Sequence, residues 1–193
     1  EFSITRAQGS AEFSVASVKY NQLIIPVVAS TTHDVSTSII EYKPATAEDT
    51  EYSTNKPTAV GDYVDRVTLP ENDSYQQVVK TTEFSITKAT GTVEFSIEDV
   101  KFGVEVKPQV KSDTNDVSTA IVEYKLTSED DTSFTTAKPV KVGEYTARVT
   151  LLANESYEQL VETTTFSIKK AKGSVRLVLE NIVYGEILSP EIY

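Results

Sequence analysis

Two stretches of the sequence decide the fold class: Gly61-Asp-Tyr63-Val-Asp-Arg-Val67-Thr-Leu69 and Gly143-Glu-Tyr145-Thr-Ala-Arg-Val149-Thr-Leu151. In the first stretch Tyr63, Val67 and Leu69 fall on the same side of an extended chain, and the second stretch repeats this arrangement. A period of two is typical of a β-strand with one buried face. Each stretch therefore predicts a strand that packs one face against a core.

The two stretches are parts of a repeat with a period of 82 residues. The segment Glu1-Phe-Ser-Ile-Thr5 returns as Glu83-Phe-Ser-Ile-Thr87 and again as Thr165-Phe-Ser-Ile-Lys169, with no gap in the spacing. About half of the positions are identical in the two complete copies. A fixed period of this kind indicates that one structural unit is used several times along the chain.

The repeat also divides the chain. We expect 1–8 to be the last strand of a preceding repeat, 9–89 and 90–171 to be complete repeats, and 172–193 to be the first strands of an incomplete third repeat. Neither end falls at a repeat boundary and the sequence has no methionine, so we expect an excerpt from a longer tandem array. Residues 9–89 are called the first copy and residues 90–171 the second copy.

The rest of each copy also has the pattern of short strands. The apolar alternation at Phe13 and Val15 changes phase before Val18, which indicates a bulge or a change of partner sheet. Pro26 and Pro108 lie in strand-like stretches, and since proline cannot donate to a ladder we expect them at a sheet edge or a bulge. No useful length shows helical spacing. We therefore predict an all-β fold of tandem small antiparallel β-sandwiches, arranged as an elongated array.

Composition excludes several classes of function. The formal net charge of −11 repels phosphate backbones and anionic membranes, so we expect no nucleic-acid partner. The chain has no cysteine and a single histidine, His33, which removes thiolate chemistry and multi-histidine metal sites. No run approaches the roughly 20 apolar residues of a membrane helix, so we expect no membrane insertion in this segment. The 10 tyrosines and 7 phenylalanines recur at fixed offsets and are expected in the cores.

Several short motifs follow one another in a fixed order in each copy. In and just before the second copy they are Phe84–Ala89, Val100–Gly103, Ile121–Lys125, Gly143–Val149 and Asn154–Tyr157. Their order and spacing resemble those of the MBG domain, a mostly bacterial Ig-like repeat, in its variant with Tyr-Gly after the first strand. The resemblance covers the whole chain. It implies that the tandem small antiparallel sandwiches are Ig-like β-sandwiches, and that they serve as an extracellular spacer in large bacterial surface proteins and adhesins. It supplies no catalytic residues.

These observations predict a structural stalk that holds a distal functional region away from the bacterial cell surface. Its expected partners are the neighbouring repeats of the same chain, with other copies of the chain or a host surface ligand as further candidates. The alternative is an adhesive module for a host protein or glycan, because a sheet edge beside Pro26 or Pro108 could accept a strand. We expect an extracellular protein that is not an enzyme, with no catalytic, cofactor-binding or metal-binding residues and no cofactor.

Two kinds of polar feature are candidate ligands of a metal ion. His33 corresponds to Asn115 in the second copy, and the expected role for it is that of a surface loop histidine. The acidic stretches 113–116 and 129–131 resemble calcium loops, but two or three carboxylates are too few ligands without others from elsewhere. We therefore expect solvated turns at both.

Two further features break a local rule or match a motif. The stretches Asn72-Asp-Ser74 and Asn154-Glu-Ser156 have the form of glycosylation sequons, and we expect them instead to cap the turns that follow. Asp65 lies on the apolar side of its strand where the second copy has Ala147. A buried carboxylate needs a partner, so we expect water at a strand end or a nearby lysine. The alternative is an isopeptide crosslink from lysine to aspartate or asparagine, as in some cysteine-free Ig-like surface domains.

Overall fold

The computed structural model describes residues 1–178, 183–185 and 187, and the backbone of residues 191–192. These residues form β-strands and four short 3-10 helices, and no α-helix occurs among them. The predicted all-β class is therefore confirmed. Within the described part of the chain, no helix is long and apolar enough to span a bilayer.

The strands have matching bounds in the two copies. In the first copy they are β1 (Glu12–Ser14), β2 (Val18–Lys19), β3 (Val27–Ala29), β4 (Ile39–Pro44), β5 (Gly61–Leu69) and β6 (Val78–Thr87). Then follow β7 (Glu94–Ser96), β8 (Val100–Lys101), β9 (Gln109–Lys111), β10 (Ile121–Leu126), β11 (Gly143–Leu151), β12 (Leu160–Lys169), β13 (Leu177–Val178) and β14 (Glu191–Ile192). The 3-10 helices are η1 (Val35–Thr37), η2 (Asp49–Glu51), η3 (Val117–Thr119) and η4 (Asp131–Ser133).

In the first copy, four strands form one sheet in the order β2-β6-β5-β4, and β1 pairs with β3 in a second sheet. The strands β4, β5 and β6 are antiparallel, and Tyr63 lies opposite Phe84. One pair departs from the predicted antiparallel sandwich, because β2 runs parallel to β6 with Val18 opposite Ile86. The long connection between β2 and β6 permits a parallel pair, which a short hairpin would not.

The second copy has the same arrangement, with the sheet β10-β11-β12-β8 and the pair β7-β9. Its strand β8 is parallel to β12, with Val100 opposite Ile168. The two copies therefore have the same sandwich-like pairing of sheets, strand for strand.

The predicted change of phase after β1 is a change of sheet. β1 pairs with β3, whereas β2, four residues later, joins the four-stranded sheet. Pro26 and Pro108 directly precede β3 and β9, which both lie in two-stranded sheets. Their edge position is as predicted, since proline cannot donate to a ladder.

The core of each copy is built on aromatic rings. Tyr63 stacks on Phe84 with ring centroids 5.6 Å apart, and Tyr145 stacks on Phe166 at the same distance. The buried core residues of the first copy are Ile24, Tyr42, Tyr63, Phe84 and Ile86. Those of the second copy are Ile97, Val106, Tyr124, Tyr145, Ala147, Phe166 and Ile168. Stacked and edge-on rings add to the large area that each ring removes from water.

The outward face of β4 and β5 carries a matched group of charges. Arg66 donates two hydrogen bonds to Glu41 and lies 3.8 Å above the centre of the Tyr52 ring. Arg148, Glu123 and Phe134 repeat the arrangement in the second copy. A half-buried guanidinium on an aromatic face stabilises the sheet by the combined cation–π and ion-pair attraction.

The chain divides into two compact units whose limits differ from those of the copies. The first unit consists of Glu1–Val93, Lys111–Ala120 and Thr150–Val161, and the second of Glu94–Val110, Ile121–Val149 and Glu162–Tyr193. The first unit therefore contains the whole first copy together with two segments of the second.

The residues at the two ends of the chain were predicted to be strands of other repeats. Phe2 and Ile4, which match the buried Phe84 and Ile86, are almost fully exposed. Leu177 pairs with Ile192 as Phe13 pairs with Val28, so β13 and β14 reproduce the pairing of β1 and β3. The strands expected at 175–179 and 182–187 lie partly outside the described residues, as does Pro190.

Candidate functional site

One residue separates the hydrogen-bonded backbone of the first copy from that of the second. The Thr87 carbonyl accepts from the Tyr20 N–H at 2.7 Å. Two residues later, the Ala89 N–H donates to Ser156 at 3.0 Å and the Ala89 carbonyl accepts from Glu158 at 2.9 Å. Only Lys88 lies between these positions. We call Thr87, Lys88 and Ala89, with the groups they contact, the joint; all of them belong to the first compact unit.

An aromatic pair packs beside the joint. The rings of Tyr20 and Tyr157 meet edge to face, with centroids 5.5 Å apart and planes at 74°. Tyr20 stands in a turn that is closed by a hydrogen bond from Gln22 N–H to the Lys19 carbonyl, and Asn21 adopts φ 65° in it. Positive φ is tolerated best by glycine and asparagine, which explains the residue at this position. We call this turn and its equivalents the aromatic turns.

The sequence indicated a short linker at 88–92, but the aromatic contact beside it was not predicted. The available signal was an aromatic residue followed by a residue suited to positive φ, at the same offset three times: Tyr20-Asn21, Phe102-Gly103 and Tyr184-Gly185. All three second residues have positive φ in the structure. Asn21, which stands where the other two turns have glycine, therefore preserves the backbone conformation.

The chain after the joint is fixed by a buried polar group. Asn115 donates from Nδ2 to the carbonyls of Leu152 and Glu158, at 2.9 Å and 3.0 Å. Gly91 packs so closely on Asn115 and Thr114 that a Cβ atom at this position has no room. The matching glycine, Gly9, packs on His33 in the same way.

His33 is a buried structural residue, and the prediction of a surface loop histidine is wrong. Its Nε2 donates to the Gln76 carbonyl at 3.0 Å, and its Nδ1 lies 2.9 Å from the hydroxyl of Thr32. Thr32 in turn accepts from the Ser10 N–H at 3.0 Å. His33 and Asn115 thus perform the same task, which is to connect the start of a copy to the loop before β6 or β12.

The acidic stretches serve their own loops. Asp116 accepts from the Ser118 hydroxyl at 2.9 Å and from the Ser118 N–H at 2.8 Å, and it begins η3. These bonds lower the pKa of its carboxyl. Asp131 forms an ion pair of 3.1 Å with Lys125. Among the described residues no group of three or more acidic or histidine side chains is placed to bind a metal ion.

The sequon asparagines cap turns, as predicted. Asn72 accepts from the N–H groups of Ser74 and Tyr75 at 3.0 Å and 2.9 Å, and donates to the Thr32 carbonyl at 3.0 Å. Asn154 makes the matching bonds in the second copy. The side-chain amide that a glycan would modify is therefore already used in folding.

Asp65 places a carboxyl group in the core of the first copy. It is 0% exposed, and neither carboxylate oxygen has a hydrogen-bond partner within the described residues. Burial raises the pKa of Asp65 to about 6, against weaker opposing effects of the Arg66 backbone and the Lys56 charge. Burial and the Asp65 charge raise the pKa of the adjacent Tyr42 to about 12. The expectation that water would hydrate this carboxylate is wrong.

The lysine near Asp65 has another partner. Lys56 donates to the Ile24 carbonyl at 2.9 Å and forms no ion pair within the described residues. Its counterpart Lys138 pairs with Glu105 at 2.6 Å, where the first copy has Leu23. The expected nearby lysine is therefore present and acts on Asp65 through its charge, without a hydrogen bond. The amine of a crosslink would have to leave its present bond.

The strand edge beside Pro26 differs between the copies. Leu23, Ile25 and Val27 are all more than half exposed. The second copy has Glu105, Lys107 and Gln109 at these positions. The outer edge of β4, in contrast, is partly covered, since Tyr42 and Ser53 exchange two backbone hydrogen bonds.

Comparison with known proteins adds little to these observations. No family model matches the sequence, and no curated protein matches it. Among solved structures, the chain is similar to the fibronectin(III)-like modules of CbhA from Clostridium thermocellum, with 12% identity and a TM-score of 0.29. The similarity covers 83% of this chain and 95% of that chain.

Proposed function

We propose that this chain is a stretch of tandem MBG-type repeats that acts as a stiff spacer in an extracellular bacterial surface protein or adhesin. The observation that carries the proposal is the joint, where one residue separates two hydrogen-bonded segments. A linker of one residue leaves few backbone angles free, whereas a flexible linker needs several unpaired residues.

Three further features support a spacer. The ten residues of β6 span about 33 Å, so each repeat contributes substantial length for its size. Tyr20 and Tyr157 pack beside the linker and oppose bending about Lys88. Asn72, Asn154, Asp116 and Asp131 are engaged in caps, turns and ion pairs within their own copies.

Pulsed electron resonance between two spin labels tests the stiffness. The chain has no cysteine, so Thr81→Cys and Thr163→Cys, at exposed positions of β6 and β12, are the only attachment sites. We expect a narrow distance distribution, which Tyr20→Ser broadens. The control carries Gly-Ser-Gly-Ser after Lys88. A distribution as broad as that of the control contradicts a stiff spacer.

A second function, adhesion, is favoured by the exposed apolar row of the first copy. Leu23, Ile25 and Val27 present three apolar side chains at a strand edge, where a partner strand could add. The test is binding of host matrix proteins and a glycan panel to the chain and to a variant with Leu23→Glu, Ile25→Lys and Val27→Gln. These replacements are the residues of the second copy, so the fold tolerates them. Saturable binding lost in the variant supports adhesion; no binding by either chain rejects it.

A further inference from the structure

The first and last strands of the four-stranded sheet lie side by side in each copy. In chain order the sheet of the first copy consists of β2, β4, β5 and β6, and β2 pairs with β6. The two strands are parallel, with Val18 opposite Ile86 and Lys19 opposite Thr87. In the second copy β8 and β12 form the same parallel pair. We call each pair, with the side chains that bridge it, the closing contact.

A pull on the two ends of a copy loads the closing contact along its strands. The N-terminal end of β2 and the C-terminal end of β6 point in opposite directions because the strands are parallel. A pull on both therefore slides one strand along the other. The evenly spaced bonds of a parallel pair share this load, so the strands separate only when the bonds break together. In an antiparallel hairpin such as β5–β6, a pull on the two free ends breaks the bonds one after another.

Hydroxyl groups lengthen the closing contact of the first copy. The Tyr20 N–H donates to the Thr87 carbonyl at 2.7 Å, which continues the ladder past β2. On the other side of β2, the Ser85 N–H donates to the Ser17 hydroxyl at 3.0 Å. The Thr87 hydroxyl donates to the Val18 carbonyl at 3.4 Å. The bonded contact therefore extends beyond the two residues of β2 in both directions.

The closing contact of the second copy has an ion pair in place of these hydroxyl groups. Asp99 replaces Ser17, and its Oδ1 accepts from the Ser167 N–H at 2.8 Å. Its Oδ2 lies 2.7 Å from Nζ of Lys169, which replaces Thr87. Lys169 and the Ser167 N–H lower the pKa of the Asp99 carboxyl, which is therefore charged at neutral pH. Hydrogen bonds to charged groups are stronger than those between neutral groups.

We infer that the closing contacts are mechanical clamps, which keep each copy folded when the chain is pulled from its ends, and that Asp99 makes the clamp of the second copy the stronger one. The inference deepens the proposed function and rests on it, because a spacer transmits any pull on the distal region that it carries. Forced unfolding depends on the rate of unfolding rather than on the equilibrium stability. A side chain in the clamp should therefore affect forced unfolding more than a similar side chain elsewhere.

Stretching of the whole chain at constant force, through tags at its two ends, tests the clamps. Ten glycine and serine residues inserted after Thr136, in an exposed bend, lengthen the unfolding step of the second copy by about 35 Å and so identify it. In this chain Asp99→Ser should raise the unfolding rate of the second copy about fivefold, since a neutral bond replaces a charged one. The rate of the first copy should not change.

The reverse exchange strengthens the first clamp. Ser17→Asp together with Thr87→Lys places the ion pair of the second copy in the first. We expect the unfolding rate of the first copy to fall about fivefold at the same force, with no change in the second copy. A rate that stays the same or rises contradicts the assignment of this contact as the clamp.

The matched control removes an ion pair outside the closing contact. Glu105 pairs with Lys138 at 2.6 Å, and the two side chains are about as exposed as those of Asp99 and Lys169. Glu105→Leu introduces the residue of the first copy, as Asp99→Ser does. It should change the rate of forced unfolding less than twofold. Equal effects of the two substitutions, or no effect of Asp99→Ser, overturn the inference. The spin-label distances are measured without force, so a narrow distribution with no clamp rejects the inference and leaves the spacer standing.

Discussion

The two copies have the same strand order and nearly the same aromatic core, yet at one fully buried position only the first copy carries a carboxyl group. Asp65 lies between Tyr42 and Thr82 in the first copy, and the second copy has Ala147 there. Both positions are fully buried. Because both copies have the same fold, the other core residues of the first copy stabilise it enough to keep the Asp65 carboxylate buried. The cost of doing so should therefore appear as a difference in stability between two otherwise matched structures.

The largest change is expected from copying the carboxylate into the second core. Ala147→Asp should destabilise the second copy by about 4 kcal/mol at neutral pH, since it adds the desolvation of a charge to crowding in a packed core. Hydrogen exchange of the amides in β11 and β12 measures the effect, with Thr163→Asp on the exposed side of β12 as control. Unchanged protection in the core variant would refute this explanation.

The reverse change should stabilise the first copy. A pKa of about 6 against the ordinary aspartate value of 3.8 corresponds to about 3 kcal/mol of unfavourable free energy at pH 7. Asp65→Ala should recover most of this free energy. The gain should appear as stronger protection of the β5 and β6 amides from hydrogen exchange. Asp65→Asn removes the charge but leaves a buried polar group, so its gain should be smaller. Equal stability of Asp65→Ala and the parent chain at pH 7 would mean that the carboxylate is not destabilising.

The same carboxylate makes the comparison dependent on pH. Because its pKa is higher in the folded than in the unfolded chain, the folded state binds the proton more tightly. The stabilisation of the folded state by the protonated Asp65 carboxyl is complete below about pH 4. It is lost as the pH rises to about 6, and it stays lost above that pH. Lowering the pH from 7 to 4.5 should therefore stabilise the first copy by about 2 kcal/mol relative to the second. In Asp65→Ala this relative change should disappear.

The smallest effect is expected at the start of each copy. His33→Asn places in the first copy the residue that already makes the matching bonds at Asn115. Its free energy of unfolding should change by less than about 1 kcal/mol, whereas His33→Ala, which leaves the Gln76 carbonyl without this donor, should cost about 1–3 kcal/mol. Urea unfolding of the three chains checks the order. A loss with Asn as large as with Ala would show that histidine has a task asparagine cannot perform.

The sequence predicted those parts of the molecule that depend on local periodicity. The strands at Gly61–Leu69 and Gly143–Leu151, the aromatic core and the asparagine-capped turns all follow from alternation and turn chemistry. The parallel pairing of β2 could not be predicted, because an alternating pattern is the same for either direction of a strand. The burial of His33 was missed for a similar reason, since the carbonyl it binds belongs to Gln76, far along the chain.

Asp65 was recognised from its phase in the strand, but its environment was not. Whether a carboxylate meets water or a lysine depends on where the segment that bears Lys56 lies, and local pattern does not determine that. The aromatic contact at the joint could not be predicted from local pattern, because Tyr20 and Tyr157 lie in different copies and only the three-dimensional structure brings them together.

The single residue at the joint also has a consequence for how such a protein can change in length. Thr87 and Ala89 are bonded to different copies, so insertion of one residue between them would turn the next copy relative to the last. Loss or gain of 82 residues, in contrast, would recreate the same chemical surroundings at the new boundary. Genes for such chains can therefore lengthen or shorten by whole repeats through recombination between these repeats. The resulting chains would keep the same joint between copies without further mutation.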